Sequence, residues 1–254
     1  MSHDILTKFK SLLSQMPPDI AITQLSSELQ IDPQKTIEYL QKIIESTVKT
    51  KLLHAITREL EKAKPPLEKI NVTDLTFPCL RYAYYSKKFY RERRGRLPEL
   101  LAMWIGIKLH ETSIFKHSEL ELEYKGVYGR VDEYEDEIIL EIKTTRNIPP
   151  KPYPHHVKQV SYYRVLLERN GYPAKLAVIL YINVHTLETK AYTILFEQPL
   201  EELEREMLER KQKLEKALAE NRIPPPTPEE PWACDYCVYA YLCGIEMGKT
   251  SPCD

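Results

Sequence analysis

The chain has 254 residues, which is enough to bury a large core and to carry a small additional domain. Its formal net charge of −1 excludes recruitment of a polyanion by bulk charge, so any contact with nucleic acid must come from local basic patches. The sequence contains no run of about eighteen apolar residues and its beginning lacks the apolar run of a signal peptide, so we expect a cytoplasmic protein without a membrane partner.

The first 62 residues are predicted to form a helical extension. Apolar residues recur at helical spacing between residues 4 and 46, which predicts three short helices, and a further helix is expected to end near Lys62. Asp32 and Pro33 are typical of an N-cap and of a first helical residue. This pattern is helix-turn-helix-like, which fits a DNA-binding unit, and it fits equally a helical hairpin that docks a protein.

From residue 71 to residue 254, helical and strand patterns alternate. A helix is predicted over "LPELLAMWIGIKLH", followed by strands in "ELELEYKG", "VYGRVDEY" and "IILEIKTT". The segment "HHVKQVSYYRVLLERNG" predicts a helix that ends at a glycine, and strands follow in "AKLAVILYIN" and "TKAYTILF". We therefore expect an α/β domain over 71–254 with an α-β-β-β-α-β core.

Three charged residues lie on the second and third of these strands. Glu141 and Lys143 are two apart, so their side chains point to the same face. The apolar run around Glu141 is typical of a strand buried on both faces, where a carboxylate needs a partner such as a metal ion. Asp132 is expected beside Glu141 on the adjoining strand. In isolation, an exposed cross-strand salt bridge explains the same residues equally well.

The five cysteines are an odd number, which favours metal ligation over disulfides in a reducing compartment. "CDYCVYAYLC" holds Cys234, Cys237 and Cys243, and three thiols this close are typical of a bound metal or cluster. Spacing leaves Cys79 and Cys253 open as the fourth ligand, and it leaves zinc open as the metal. If Cys79 is the ligand, the site joins the two ends of the domain.

A basic aromatic segment, "RYAYYSKKFYRERRGR", interleaves tyrosines with cations at residues 81–96. Stacking rings and phosphate-neutralising cations suit a path for single-stranded DNA, whereas a solvated helix face is the simpler alternative. The residues that we assign to this path are Arg81, Tyr84, Tyr85, Arg91, Arg93 and Arg94.

Six motifs in order resemble the RecB-like branch of the PD-(D/E)XK nucleases and, more closely, the CRISPR-associated iron-sulfur exonucleases. They are Cys79, "GIKLH" with His110, "GRVD" with Asp132, "EIK" with Glu141 and Lys143, "QVSYY" with Gln159 and Tyr163, and "CDYCVYAYLC". The resemblance covers about residues 71–254. It implies a PD-(D/E)XK fold and a metal-dependent exonuclease that acts on single-stranded DNA ends. It also implies a role in CRISPR spacer acquisition, with the CRISPR integrase complex as a partner.

The resemblance further implies a role for each residue. The implied ligands of Mg²⁺ or Mn²⁺ are His110, Asp132, Glu141 and the carbonyl of Ile142. Lys143 would position or deprotonate the attacking water, and Gln159 and Tyr163 would hold the substrate strand or the geometry of the site. The implied ligands of an iron-sulfur cluster, expected to be 4Fe-4S and to staple the helical part of the domain, are Cys79, Cys234, Cys237 and Cys243. Cys253 would then bind nothing.

Two other functions are compatible with parts of the sequence. One is a DNA-binding regulator that works through the helix-turn-helix, and the other is a zinc-stapled interaction module. The intact set of Asp132, Glu141 and Lys143 argues against the first, because a buried acid-acid-lysine set is costly to retain without a use. Visible absorption distinguishes the zinc-stapled module from an iron-sulfur nuclease, since zinc is colourless and iron-sulfur clusters are brown. A homo-oligomer is compatible with all three functions.

Overall fold

The computed structural model describes residues 2–62, 68–89, 97–110, 113–226, 228, 233–235 and 237–246. It divides into two compact units. The first comprises Met1–Lys62 and Gly95–Leu101, and the second comprises Ala63–Arg94 and Ala102–Asp254. Among the described residues, no helix is long and apolar enough to cross a membrane.

The first unit contains three helices, α1 (Ser2–Leu13), α2 (Pro18–Leu29) and α3 (Pro33–Lys62). Its small core is formed by Phe9, Leu12, Ala21, Leu25 and Leu40. Oδ1 of Asp32 accepts hydrogen bonds from the backbone N–H groups of Gln34, at 2.8 Å, and Lys35, at 3.3 Å. The predicted N-cap of α3 is therefore confirmed.

The structure corrects the prediction of a helix boundary near residue 46, because α3 runs without interruption for 30 residues. Beyond Pro33 this segment contains no glycine or proline that would end it. The hydroxyl of Thr47 donates to the Ile43 carbonyl at 2.7 Å, and that of Thr50 donates to the Ser46 carbonyl at 2.9 Å. The threonines therefore satisfy their hydroxyls within the helix and do not break it.

The second unit is built on a mixed six-stranded sheet in the order β1-β3-β4-β5-β6, with β2 paired to β3. The β4–β5 and β1–β3 pairs are parallel, and the other pairs are antiparallel. The strands are β1 (Ile70–Asn71), β2 (His117–Tyr124), β3 (Val127–Glu135), β4 (Ile138–Thr145), β5 (Leu176–Asn183) and β6 (Thr189–Leu195). The remaining helices are α4 (Val72–Thr76), α5 (Leu80–Lys88), α6 (Leu97–His110), α7 (Pro154–Arg169), α8 (Leu200–Ala219) and α9 (Ala240–Glu246).

The predicted order of helix, three strands, helix and strand is confirmed as α6, β2, β3, β4, α7 and β5. The segment from Ile139 to Ile142 is buried at every position, as expected for a strand that is covered on both faces. Sequence reasoning missed β1, because a strand of two residues has no periodicity to detect.

Helix α7 connects the parallel strands β4 and β5 and packs closely against β3. A Cβ atom added to Gly129 would lie 2.4 Å from Cδ1 of Leu166 and 3.1 Å from Cε1 of Tyr163, so only glycine allows this approach. The helix ends at Arg169 with Asn170 as its C-cap, and the predicted glycine, Gly171, follows the cap with φ 83°. The N–H of Tyr172 then donates to the Leu167 carbonyl at 2.9 Å, which completes a Schellman motif.

Candidate active site

The antiparallel pairing of β3 with β4 ends one residue before the two carboxylates. The last pair of residues in register is Glu133 and Leu140, and Asp132 and Glu141 are the next residues on the two strands. Oδ2 of Asp132 accepts a hydrogen bond from the backbone N–H of Ile142 at 2.9 Å. A side-chain carboxylate thus replaces the backbone acceptor at the point where β4 leaves β3, which fixes Asp132 against the next strand.

Lys143, Glu141 and Gln159 form a closed set of polar contacts. Nζ of Lys143 lies 2.5 Å from Oε1 of Glu141 and donates to Oε1 of Gln159 at 3.0 Å. Nε2 of Gln159 donates to Oε1 of Glu141 at 2.9 Å and to the Tyr163 hydroxyl at 3.0 Å. Gln159 and Tyr163 are four apart on α7, so the helix presents both to the same region of β4. The structure therefore gathers five predicted site residues, Asp132, Glu141, Lys143, Gln159 and Tyr163.

The centre is buried and has an excess of negative charge. Asp132 is 9% exposed and Glu141 is 1% exposed. Burial acts to lower the pKa of Lys143, but the carboxylates of Glu141 and Asp132 outweigh it, and the pKa lies above its ordinary value. Burial, and then the same two carboxylates, raises the pKa of Tyr163 well above its usual range. Both groups keep their protons at neutral pH, so two carboxylates face one ammonium, and the resulting field attracts a cation.

The donors at this centre suit a divalent cation. Mg²⁺ and Mn²⁺ prefer oxygen ligands, and Asp132 and Glu141 supply carboxylates from neighbouring strands. His110 is the last residue of α6, and its side chain lies outside the described part of the structure. Among the described residues, no group of three or more His, Cys, Asp or Glu is placed to hold a metal ion. The roles of His110 and of the Ile142 carbonyl stay predictions.

The four described cysteines, Cys79, Cys234, Cys237 and Cys243, form no disulfide. Cys243 is buried, and its Sγ accepts a hydrogen bond from Nη1 of Arg81 at 3.2 Å. Arg81 lies two residues after Cys79, so this contact links the beginning of α5 to α9. Thiols are suitable cluster ligands, but the described residues contain no three of them placed around one metal position. The cluster stays a prediction, and Cys253 lies outside the described residues.

The structure corrects the first half of the predicted DNA path. Arg81, Tyr84 and Tyr85 are all less than a tenth exposed. Nε of Arg81 donates to the Pro224 carbonyl at 2.6 Å, and the ring of Tyr85 lies 5.5 Å from that of Tyr239. These three side chains belong to the core, because α5 turns them inward, and they present no surface to DNA. The remaining residues of the path, which lie outside the described residues and stay predictions, are Arg91, Arg93 and Arg94.

Sequence reasoning missed two residues beside Lys143, namely His156 and Tyr181. Tyr181 on β5 is in register with Lys143 on β4, and its hydroxyl lies 2.8 Å from Nδ1 of His156. Burial, aided by the charges of Lys143 and His155, lowers the pKa of His156 to about 2. His156 precedes the predicted site residue Gln159 by three positions, so helical spacing from Gln159 was the signal that could have indicated it.

A mixed sheet thus positions two buried carboxylates and a lysine against helix α7. The PD-(D/E)XK nuclease superfamily matches residues 25–244 of the chain. Because this match spans most of the sequence, the chain belongs to the PD-(D/E)XK nuclease superfamily, whose members cleave phosphodiester bonds and generally use Mg²⁺ or Mn²⁺.

One solved structure that the chain resembles is described as "Crystal structure of SSO0001". The two share 21% sequence identity with a TM-score of 0.52, over 76% of this chain and 94% of that chain. At this identity the likeness supports the fold alone. No curated protein matches the chain.

Proposed function

We propose that the protein is a divalent-metal-dependent exonuclease that removes nucleotides from the ends of single-stranded DNA. The observation that carries the proposal is the buried network of Asp132, Glu141, Lys143 and Gln159. Membership of the superfamily supports nuclease chemistry. The ordered motifs that resemble the CRISPR-associated exonucleases support the finer specificity for single-stranded ends.

Each residue of the network has a distinct task in this proposal. A bound divalent ion lowers the pKa of the attacking water and stabilises charge on the phosphate. Asp132 and Glu141 would hold that ion. Lys143 stays protonated beside Glu141, where its charge orients the water and offsets negative charge that develops on the phosphate. Gln159 contacts both Lys143 and Glu141, so it keeps them in one geometry.

The proposal includes an iron-sulfur cluster on the cysteines and a cytoplasmic location. A set of thiols without disulfides among the described cysteines is typical of a reducing compartment. The proposed ligands are Cys79, Cys234, Cys237 and Cys243. Anaerobic purification followed by iron, sulfide and zinc analysis tests this part, because a colourless protein with one zinc per chain would replace the cluster by a zinc site.

The same resemblance supports a role in CRISPR spacer acquisition with the integrase complex as the partner. The helical unit is the candidate for the contact, because α2 and α3 form a helix pair with Asp32 as the cap of the second helix. Gel filtration of the protein with an integrase complex tests the interaction. Loss of co-elution in a variant without residues 1–62 would assign the contact to this unit, and no co-elution of the full chain would contradict the partnership.

The decisive experiment is cleavage of end-labelled DNA in the presence of Mn²⁺ or Mg²⁺, with a chelator as the control. We expect linear single strands to shorten progressively, circular single strands to stay intact, and Lys143→Met to be inactive. Glu135→Gln changes a carboxylate on β3 that lies outside the network, and it should retain activity. Cleavage of circular DNA would contradict the exonuclease assignment. DNA binding without any cleavage would favour the DNA-binding regulator.

A further inference from the structure

Four aromatic side chains at the beginning of α7 and on strand β5 have no role in the proposed chemistry. We call them the aromatic platform: Tyr153, His155, His156 and Tyr181. The rings of Tyr153 and His155 are stacked, with centroids 5.6 Å apart and an interplanar angle of 25°. The rings of His155 and His156 lie 4.2 Å apart. The platform is therefore a contiguous group of rings.

The hydroxyl of Tyr181 anchors the platform. It accepts a hydrogen bond from the backbone N–H of Tyr153 at 3.1 Å and lies 2.8 Å from Nδ1 of His156. Tyr181 itself is fully buried, and a further ring, that of Tyr192, lies 5.9 Å from it. The buried tyrosine thus holds the beginning of α7 against the sheet, and the outer rings have a fixed support.

The aromatic platform is aligned with the catalytic network on two elements. His155 and His156 precede Gln159 by four and three residues, so they share its face of α7, about one helical turn or 5 Å away. On the sheet, Tyr181 is in register with Lys143. A DNA strand whose phosphate reaches Lys143 therefore has its neighbouring nucleotide within reach of the platform.

The outer ring of the platform is accessible, and the ring of His156 is uncharged. Tyr153 is 36% exposed, whereas Tyr181 is inaccessible. Burial keeps the pKa of His156 at about 2, so this ring is neutral in ordinary buffers. An exposed ring that is supported by the buried ring of Tyr181 and the neutral ring of His156 suits stacking with the face of a nucleobase.

We propose that Tyr153, supported by the other rings of the platform, stacks on the unpaired nucleobase next to the scissile phosphate. A base within a duplex is covered on both faces by its neighbours, so it must leave the stack before a protein ring can cover it. The platform therefore selects single strands and frayed ends. This inference rests on the proposed nuclease function and adds a binding site for a base to it.

The test measures DNA binding in the inactive Glu141→Gln background, which separates binding from cleavage. Tyr153→Ala and Tyr153→Leu should each weaken binding of a single-stranded oligonucleotide by about tenfold, because base stacking on a protein ring contributes on that scale. Tyr153→Phe keeps the ring and should rescue binding. Tyr241→Ala, which removes a highly exposed tyrosine on α9, serves as the control and should bind like the parent.

A series of oligonucleotides, each of which lacks the base at a different position, locates the stacked nucleotide. At one position the loss of the base and Tyr153→Ala should not be additive, because both remove the same contact. Equal binding by the parent and Tyr153→Ala would overturn the platform, and so would an equal loss with every abasic strand. If the wild type cleaves DNA but DNA binding does not depend on the Tyr153 ring, only the platform is contradicted. If DNA binding depends on the Tyr153 ring but the wild type does not cleave DNA, only the proposed nuclease function is contradicted.

Discussion

The carboxylate pair of Asp132 and Glu141 and the cysteine region are held in different ways. Asp132 and Glu141 come from central strands of the sheet, and hydrogen bonds from Ile142 and Gln159 fix their carboxylates. The cysteines come from short elements at the two ends of the second unit, such as the seven-residue α9 that carries Cys243. The difference teaches that the fold itself organises the carboxylates, whereas among the described residues it brings no three cysteines around one metal position.

The largest expected effect is at the carboxylate pair, the proposed catalytic centre. Glu141→Gln keeps an acceptor for Lys143 and Gln159 but removes the charge that binds the cation, so initial rates of cleavage should fall by about a thousandfold. Because the sheet holds the site, the melting temperature should stay close to that of the wild type. A large drop in the melting temperature would break the comparison, since the scaffold would then depend on the carboxylate.

At the cysteine region the expected effect is on stability. Cys79→Ala should remove the visible absorption and lower the melting temperature by about 10 °C, because loss of one ligand releases both ends of the unit. Cys253→Ala is the matched control and should change neither. If Cys253→Ala bleaches the protein while Cys79→Ala keeps its colour, the ligand assignment is wrong.

A smaller effect is expected where α7 meets the sheet. Gly129→Ala places a methyl group against Leu166 and Tyr163, and both of these side chains are buried and cannot easily move. We expect a loss of about 1–3 kcal/mol in the free energy of unfolding, measured by denaturant titration. Gly171→Ala is a control of another kind: its Cβ meets open space, so any loss reflects only the positive φ. Equal stability of Gly129→Ala and the wild type would contradict close packing of α7.

A further expected effect concerns stability in acid. The pKa of His156 is about 2 in the folded protein, against an ordinary value of 6.5, so the unfolded chain binds the extra proton between these values. Stability is therefore present above about pH 6.5 and falls as the pH decreases, by up to about 1.4 kcal/mol per pH unit. His156→Gln should flatten this fall in thermal melts between pH 6 and 4. His54→Gln, at an exposed position on α3, should leave the fall unchanged. Identical pH profiles of the wild type and both variants would show that burial does not lower the pKa of His156.

Much of this arrangement could be predicted from the sequence, because periodicity carries it. Alternation placed Glu141 and Lys143 on one face, and the apolar run around them indicated a buried strand. The orientation of α5 could not be predicted, because tyrosines between cations suit a buried face and an exposed face equally. Burial of Tyr84 and Tyr85 depends on partners distant in sequence, Asn221 for Tyr84 and Tyr239 for Tyr85. Tyr181 was missed because only the register of β5 with β4 reveals its neighbours.

The most direct test of the central claim is a titration of the metal-depleted protein with Mn²⁺, in which electron paramagnetic resonance measures the binding. The account predicts that the wild type and Glu135→Gln bind Mn²⁺ alike, because Glu135 lies outside the network. Asp132→Asn should bind it at least about tenfold more weakly, because a ligand charge is lost. Equal Mn²⁺ affinity in all three proteins would contradict the assignment of the carboxylate pair as a metal-binding nuclease centre.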